Sequence, residues 1–338
     1  LKWETTKQTD FGVDFGFFNQ RLTGSFDYYY KKTNDILVQT PYIAAMGEGG
    51  EPWVNGASMN NQGVEFTVSF KSDPSSEFQW AVSANIGTYK TELTDLPSNV
   101  INKYAGDGVH DLILGRSPNS AYGLVADGIF KTQEEVDAHA DQPGKAVGRI
   151  RYKDLDGDGL INETYDRTWI GCYDPDFFGG LNFDFAYKGF DLNLFFEGMF
   201  GNDVNSDWKK ESDIWLFTNP AWKNHATRML GGWSPDNPNS DIPAISNNTA
   251  NQEQRFSSWF IEDGSYIKLR NIELGYTFPT KLIKKMHMSN LRLYAAAYNV
   301  FTLKKFWGDD KYTSFDPERP SYHYLTPFTF NFGINVSF

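Results

Sequence analysis

The segment from Thr326 to Phe338, TPFTFNFGINVSF, limits the fold more than any other stretch of the chain. Phe328, Phe330, Phe332, Ile334, Val336 and Phe338 occupy every second position, and Thr329, Asn331, Gly333, Asn335 and Ser337 fill the gaps. Successive side chains on a strand point to opposite faces, so this order gathers the apolar groups on one face and the polar groups on the other. A helix would scatter the same residues around its circumference. The run also has the length of about 9 to 11 residues that a tilted strand needs to cross a bilayer.

The same grammar recurs along the chain. Phe11, Val13, Phe15 and Phe17 alternate with polar residues or Gly, and Leu22, Gly24, Phe26, Tyr28 and Tyr30 continue after a turn at Asn19-Gln20. Val64, Phe66, Val68 and Phe70 lead through Asp73-Pro74-Ser75 to Phe78, Trp80, Val82, Ala84 and Ile86. Leu181, Phe183, Phe185 and Tyr187 turn at Lys188-Gly189 into Phe190, Leu192, Leu194 and Phe196. Ile272, Leu274, Tyr276 and Phe278 stop at Pro279, and Leu291, Leu293, Ala295 and Ala297 follow. These runs predict about ten to twelve strands. Their turns are short near 19–21, 72–77, 188–189 and 279–290, whereas the opposite connections are long, near 40–60, 92–176, 201–258 and 303–325. Connections in a soluble sandwich are short at both ends, about 2 to 6 residues. One tight end and one long end is the asymmetry of an outer-membrane barrel, with periplasmic turns and extracellular loops.

Composition sharpens this reading in places. Aromatic residues make up 17% of the chain, mostly Phe and Tyr. They suit strands and the aromatic girdles of membrane barrels, but equally a soluble carbohydrate-binding β module. The net charge of -12 rules against nucleic acid or a polybasic grip on anionic lipid, both of which need excess Lys and Arg. Cys172 is the single cysteine, so no internal disulfide forms, and with no His nearby in sequence it reads as structural. No apolar run approaches the ~18 residues of a membrane helix. A mean hydropathy of -0.51 is compatible with a barrel, because alternation averages lipid-facing and lumen-facing residues. The chain opens at Leu1 with no signal segment, which predicts processing or a longer parent chain.

Several stretches resemble the SusC/RagA family of TonB-dependent transporters. They are LKWETTKQTDFGVDFGFFNQRLTGSFDYYYKKTNDIL at the start, NNQGVEFTVSF at 60–70, FIEDGSYIKLRNIELGYTFP at 260–279, LRLYAAAYNVFT at 291–302 and the closing FTFNFGINVSF. Their order also agrees with the family. The resemblance implies an all-β fold, the C-terminal portion of a transmembrane antiparallel barrel of about 22 strands. It implies a lumen plug, yet no segment here resembles a plug or a TonB box. It further implies TonB-dependent import of an oligosaccharide or peptide across a Gram-negative outer membrane. The partners it implies are TonB, a SusD-like surface lipoprotein over the mouth, outer-membrane lipid, and a dimer of the transporter–lipoprotein pair. The alternatives are a secreted glycan-binding β module and a passive porin-like barrel.

The sharpest local motif is Asp154-Leu-Asp156-Gly-Asp158-Gly159-Leu160-Ile161-Asn162. It matches the opening of an EF-hand-like loop, in which carboxylates at alternate positions and one backbone carbonyl, here that of Leu160, converge on Ca²⁺. The closing Glu is missing, because Tyr165 stands there, and Asp166 is the expected substitute. The plain alternative is an Asp/Gly turn with solvated acids. Trp53, Trp208, Trp215, Trp222, Trp233 and Trp307 fall in the long connections, where their flat faces could stack on a sugar or peptide or simply pack the loops. Phe338 is the expected assembly signal, a terminal aromatic resembling the one read during barrel insertion. No catalytic constellation is found. Glu134, Glu135 and His139 lie in KTQEEVDAHAD, which reads as a helix with surface acids, and no G-x-S-x-G or phosphate-cradling Gly loop occurs.

Overall fold

The computed structural model describes the chain apart from residues 41–50, 102–103, 107–110, 215–225, 247–249, 305–312 and 321–323. The alternating runs fold as long strands: β1 (Thr5–Phe17), β2 (Leu22–Gln39), β3 (Trp53–Lys71), β4 (Phe78–Asp95), β5 (Phe177–Tyr187), β6 (Phe190–Phe200), β7 (Tyr266–Thr277), β8 (Asn290–Lys304) and β9 (Thr329–Ser337). They form one antiparallel sheet of nine strands in which each pairs with its neighbours in sequence. Nine strands is fewer than the ten to twelve expected. The remaining strands are short ones within the long connections, Ser120–Leu124 with Arg167–Cys172, Ala126–Ile129 with Ile150–Tyr152, and Asp203–Asn205 with Ile261–Asp263. The sheet is open: among the described residues β1 pairs only with β2, and β9 only with β8.

Local chemistry explains the tight ends. Between β5 and β6, Lys188 (φ 49°) and Gly189 (φ 88°) both adopt left-handed backbone, the conformation whose twist suits a two-residue hairpin. Phe190 then lies directly opposite Tyr187, and the register runs unbroken to Phe200 opposite Phe177. A one-residue slip would exchange the two faces of the strand, so this turn fixes which side chains face out.

The two faces differ as the alternation requires. Leu274 (51% exposed), Phe11 (62%) and Ile86 (47%) stand outward on the apolar face. Phe330, Phe332 and Ile334 are exposed too, with no second sheet over them among the described residues, which goes against the soluble sandwich among the expectations. Near the short turns the outward aromatics touch: Phe70 with Trp80 at 5.3 Å, Phe78 with Phe185 at 6.0 Å, and Phe190 with Tyr276 at 4.6 Å between ring centroids. That row has the placement of an interfacial girdle. The other face carries a polar ladder. Asn193 Nδ2 donates to Asn182 Oδ1 (2.9 Å) and Asp184 Oδ1 (2.7 Å), and accepts at Oδ1 from Asn271 Nδ2 (3.1 Å). Arg292 bridges Asp191 (3.1 Å) and Glu273 (2.7 Å). No helix among the described residues is long and apolar enough to cross a membrane.

Beyond the strands the long connections build a layer with its own interior. Leu124, Ile129, Ile150, Tyr152, Ile161, Ile214 and Phe260 form one buried apolar cluster. A second joins Val38, Ala57, Leu93 and Leu96 at the strand ends to Val100 and Ile113. The strands run into this layer, and their ends place the long connections at 40–52, 96–176, 201–265 and 305–328, so the first is shorter than the sequence suggested and the third longer. The expected helix is there, Gln133–Ala138. Thr132 Oγ1 accepts the Glu135 N–H (3.3 Å) and the Glu135 carboxylate accepts the Lys131 N–H (2.7 Å).

Candidate functional site

Asp154, Asp156 and Asp158 come together at the edge of the long-connection layer, with one oxygen of each within 4.8 Å of the others. The loop is wound by its own side chains. Asp154 accepts the N–H groups of Gly157 (2.7 Å) and Gly159 (2.9 Å), Asp156 that of Asp158 (3.1 Å), and Asp158 that of Leu160 (2.7 Å). Gly157 and Gly159 take φ of 76° and 83°, which a residue with a Cβ rarely adopts. Asp166 is fully buried beneath the loop and is not one of the three grouped carboxylates. Its Oδ1 accepts the Leu155 N–H (2.8 Å) and its Oδ2 the Asn162 N–H (2.7 Å), so it clamps the two ends of the turn. The hydrogen bond from the Asp158 N–H draws the Asp156 carboxyl down. Partial desolvation and the charges of Asp158, Asp166 and Asp154 outweigh it and hold that group above its usual range. Such mutual repulsion is what a bound cation would relieve.

The three described tryptophans of this set have different surroundings. Trp53 opens β3 and is 53% exposed. Trp208 packs edge-on against Phe315, with centroids 4.7 Å apart. Trp233 packs against the larger apolar cluster. Trp215, Trp222 and Trp307 lie outside the described residues. Phe338 follows β9 and is 87% exposed.

An ionic cluster stands where the polar face of the sheet meets the long connections. Lys268 on β7 is almost fully buried. Its Nζ donates to Asp316 Oδ1 (2.6 Å) and also meets Glu318. Arg270 donates to Glu197 on β6 (2.8 Å) and contacts Glu318, and the Tyr266 hydroxyl donates to Glu318 (3.1 Å). Arg270 reaches this cluster because it is the extra residue of a bulge: Phe195 and Phe196 of β6 face Asn271 and Leu269, which leaves Arg270 without a partner across that pair.

A family model, TonB dependent receptor-like, beta-barrel, matches residues 1–300. The chain belongs to the TonB-dependent receptor β-barrel family. TonB-dependent receptor P3 of Formosa agariphila is 32% identical over the whole chain, and TonB-dependent receptor SusC of Bacteroides thetaiotaomicron is 27% identical. The RagAB peptide transporter superposes over the whole chain with a TM-score of 0.78 at 25% identity. The SusC/RagA resemblance seen in the sequence is thus shown. The chain spans about a third of these relatives, 34%, 32% and 36% of their respective lengths.

Within this receptor fold, sequence reasoning found the Asp154–Asp158 loop from its spacing but missed the cluster around Lys268. A signal existed. The run Tyr-Ile-Lys268-Leu-Arg270-Asn271 breaks the alternation, since charged Arg270 falls where the strand's apolar phase would place an outward residue. A charge out of phase in a membrane strand marks a bulge.

Proposed function

We propose that this chain supplies the C-terminal part of the barrel of an outer-membrane importer. The importer moves an oligosaccharide or peptide with energy delivered through TonB, beneath a SusD-like surface lipoprotein. The observation that carries this reading is the two-faced sheet, apolar outward and polar inward, in a chain that superposes along its length on a peptide transporter. An open sheet edge cannot persist in lipid, so β1 and β9 require further strands of the same barrel. The long connections give the barrel a structured roof on which a lipoprotein could close, and Trp53 is exposed at its edge.

The test is uptake by cells that carry the complete receptor. Growth on a glycan or peptide mixture should depend on the receptor and on TonB. Uptake that persists without TonB would instead support a passive pore. Purification from native membranes in mild detergent should bring down a SusD-like lipoprotein in comparable amount, and a receptor that consistently emerges alone removes that partner.

Asp154, Asp156 and Asp158, with the Leu160 carbonyl, are proposed to hold Ca²⁺ in a structural role. Calcium removal by a chelator should increase proteolysis between residues 150 and 170 and leave the strands folded, because the strands do not depend on this loop. Affinity should fall on acidification. The raised Asp156 carboxyl takes up its proton at a higher pH than an ordinary aspartate, and a protonated carboxyl is a poor ligand. Calorimetry on wild type and Asp158→Asn checks both statements, and identical calcium titrations of the two proteins reject the site.

A further inference from the structure

We propose that a cleft at the inner end of the long-connection layer binds the cationic nitrogen of the cargo, an ammonium or a guanidinium. The cleft has a volume of about 610 Å³ and is lined by Tyr173, Asn202, Asp203, Asp207, Tyr266 and Glu318 among others. Met199 and Tyr266, directly paired across β6 and β7, form its floor. Met199 shares the polar face of β6 with Asp191, Asn193 and Glu197, so the cleft opens on the side through which cargo would pass.

Its chemistry is one-sided. Glu318 is already compensated by Lys268 and Arg270. Asp203 and Asp207 have no ion-pair partner among the described residues. Asp203 accepts the Cys172 N–H at Oδ2 (2.8 Å), and burial, together with the charges of Asp263 and Asp176, holds its carboxyl above the usual range. Tyr173 feels both acids: burial first, then the charges of Asp203 and Asp207, raise its hydroxyl. Acids alone would mean little, since most are simply solvated. Asn202 supplies an independent sign. It is 6% exposed, lines the cleft, and its Oδ1 has no hydrogen-bond partner. A buried acceptor left unmatched costs free energy, and a ligand carrying several N–H donors would satisfy it. Two uncompensated carboxylates and an orphan carbonyl oxygen are acceptors, and the groups that offer several donors with positive charge are ammonium and guanidinium. The tyrosine faces beside them suit the same ligands.

This inference rests on the import reading, and the test separates the two. The complete receptor, with its partner, is titrated in detergent with trilysine, triglycine, the trimer of glucosamine and the trimer of N-acetylglucosamine. Wild type should prefer trilysine to triglycine, and charged to acetylated sugar, by about tenfold, the discrimination typical of a hydrogen bond to a charged group. The peptide and sugar arms tell which source of the cation fits better. The double variant Asp203→Asn/Asp207→Asn keeps acceptor atoms in place. It should lose the preference while binding the neutral probes and melting as wild type does. Salt at about 0.5 M should shrink the wild-type preference, because charges near solvent are screened. Equal affinity for charged and neutral probes, no trilysine binding, or a preference that survives the double variant overturns the proposal. If preference is absent while uptake still depends on TonB, the cleft assignment fails and import stands. If preference is present while uptake ignores TonB, import fails and the cleft stands.

Discussion

Leu274→Arg is expected to cut the outer-membrane yield of the complete receptor several-fold and to lower its unfolding free energy in lipid vesicles by about 2 kcal/mol. Leu274 sits on β7 between Leu192 of β6 and Ala295 of β8, on the outward face, and is 51% exposed. An arginine there must be desolvated, must reach for the interface, or must thin the bilayer, and each of these is costly. The same substitution on the polar face should behave differently. Thr23 of β2 lies between outward Leu22 and Gly24, so Thr23→Arg projects into water and should change stability by no more than about 0.5 kcal/mol. Urea unfolding of both variants in vesicles, beside wild type, decides the matter. Equal losses at the two positions would mean that the faces are assigned wrongly.

Glu253→Ala should unravel the long-connection layer and spare the strands. Glu253 is 3% exposed. Its Oε2 accepts from Arg149 (2.8 Å) and from Asn251 Nδ2 (3.1 Å), and its Oε1 accepts the Ile150 N–H (2.7 Å). Truncation leaves the buried Arg149 charge and the Ile150 N–H without partners beside the cluster of Leu124, Ile150 and Tyr152. Removing one member of a buried pair typically costs about 3–5 kcal/mol, more than a loop layer of this size can absorb without opening. Hydrogen exchange should therefore accelerate across residues 126–152 and 250–260, while the amides of β5 to β8 stay protected. Replacing both partners with apolar groups, Arg149→Met with Glu253→Leu, should recover much of the loss, since no orphan charge remains. Unchanged exchange in Glu253→Ala would show that the apolar cluster alone holds the layer.

What was legible in the sequence is what repeats over short distances. Period two in Thr326–Phe338 and its counterparts fixed which side chains face lipid, because a strand has two faces and alternation is a local property. Lys188-Gly189 fixed a hairpin through its backbone preferences, and the run KTQEEVDAHAD announced a short helix. The spacing of Asp154, Asp156 and Asp158 brought three carboxylates together within a single turn. None of these needs knowledge of a distant residue.

Only the tertiary structure decided the rest. The sequence showed only that the connections between strands are long, whereas Arg149 and Glu253, 104 residues apart, meet in a buried pair that joins two of them. Trp233 turned inward to that layer, and its neighbour in space, Gly148, leaves no room for a Cβ beside the indole. Lys268 found Asp316 and Glu318 about 50 residues away, and the bulge at Arg270 brought Glu197 to the same place. Burial of a charge depends on everything packed around it, and the partners that compensate it come from separate segments of chain. No window of sequence contains both halves of such a contact, so the membrane-facing surface could be read residue by residue while the interior of the roof had to be seen folded.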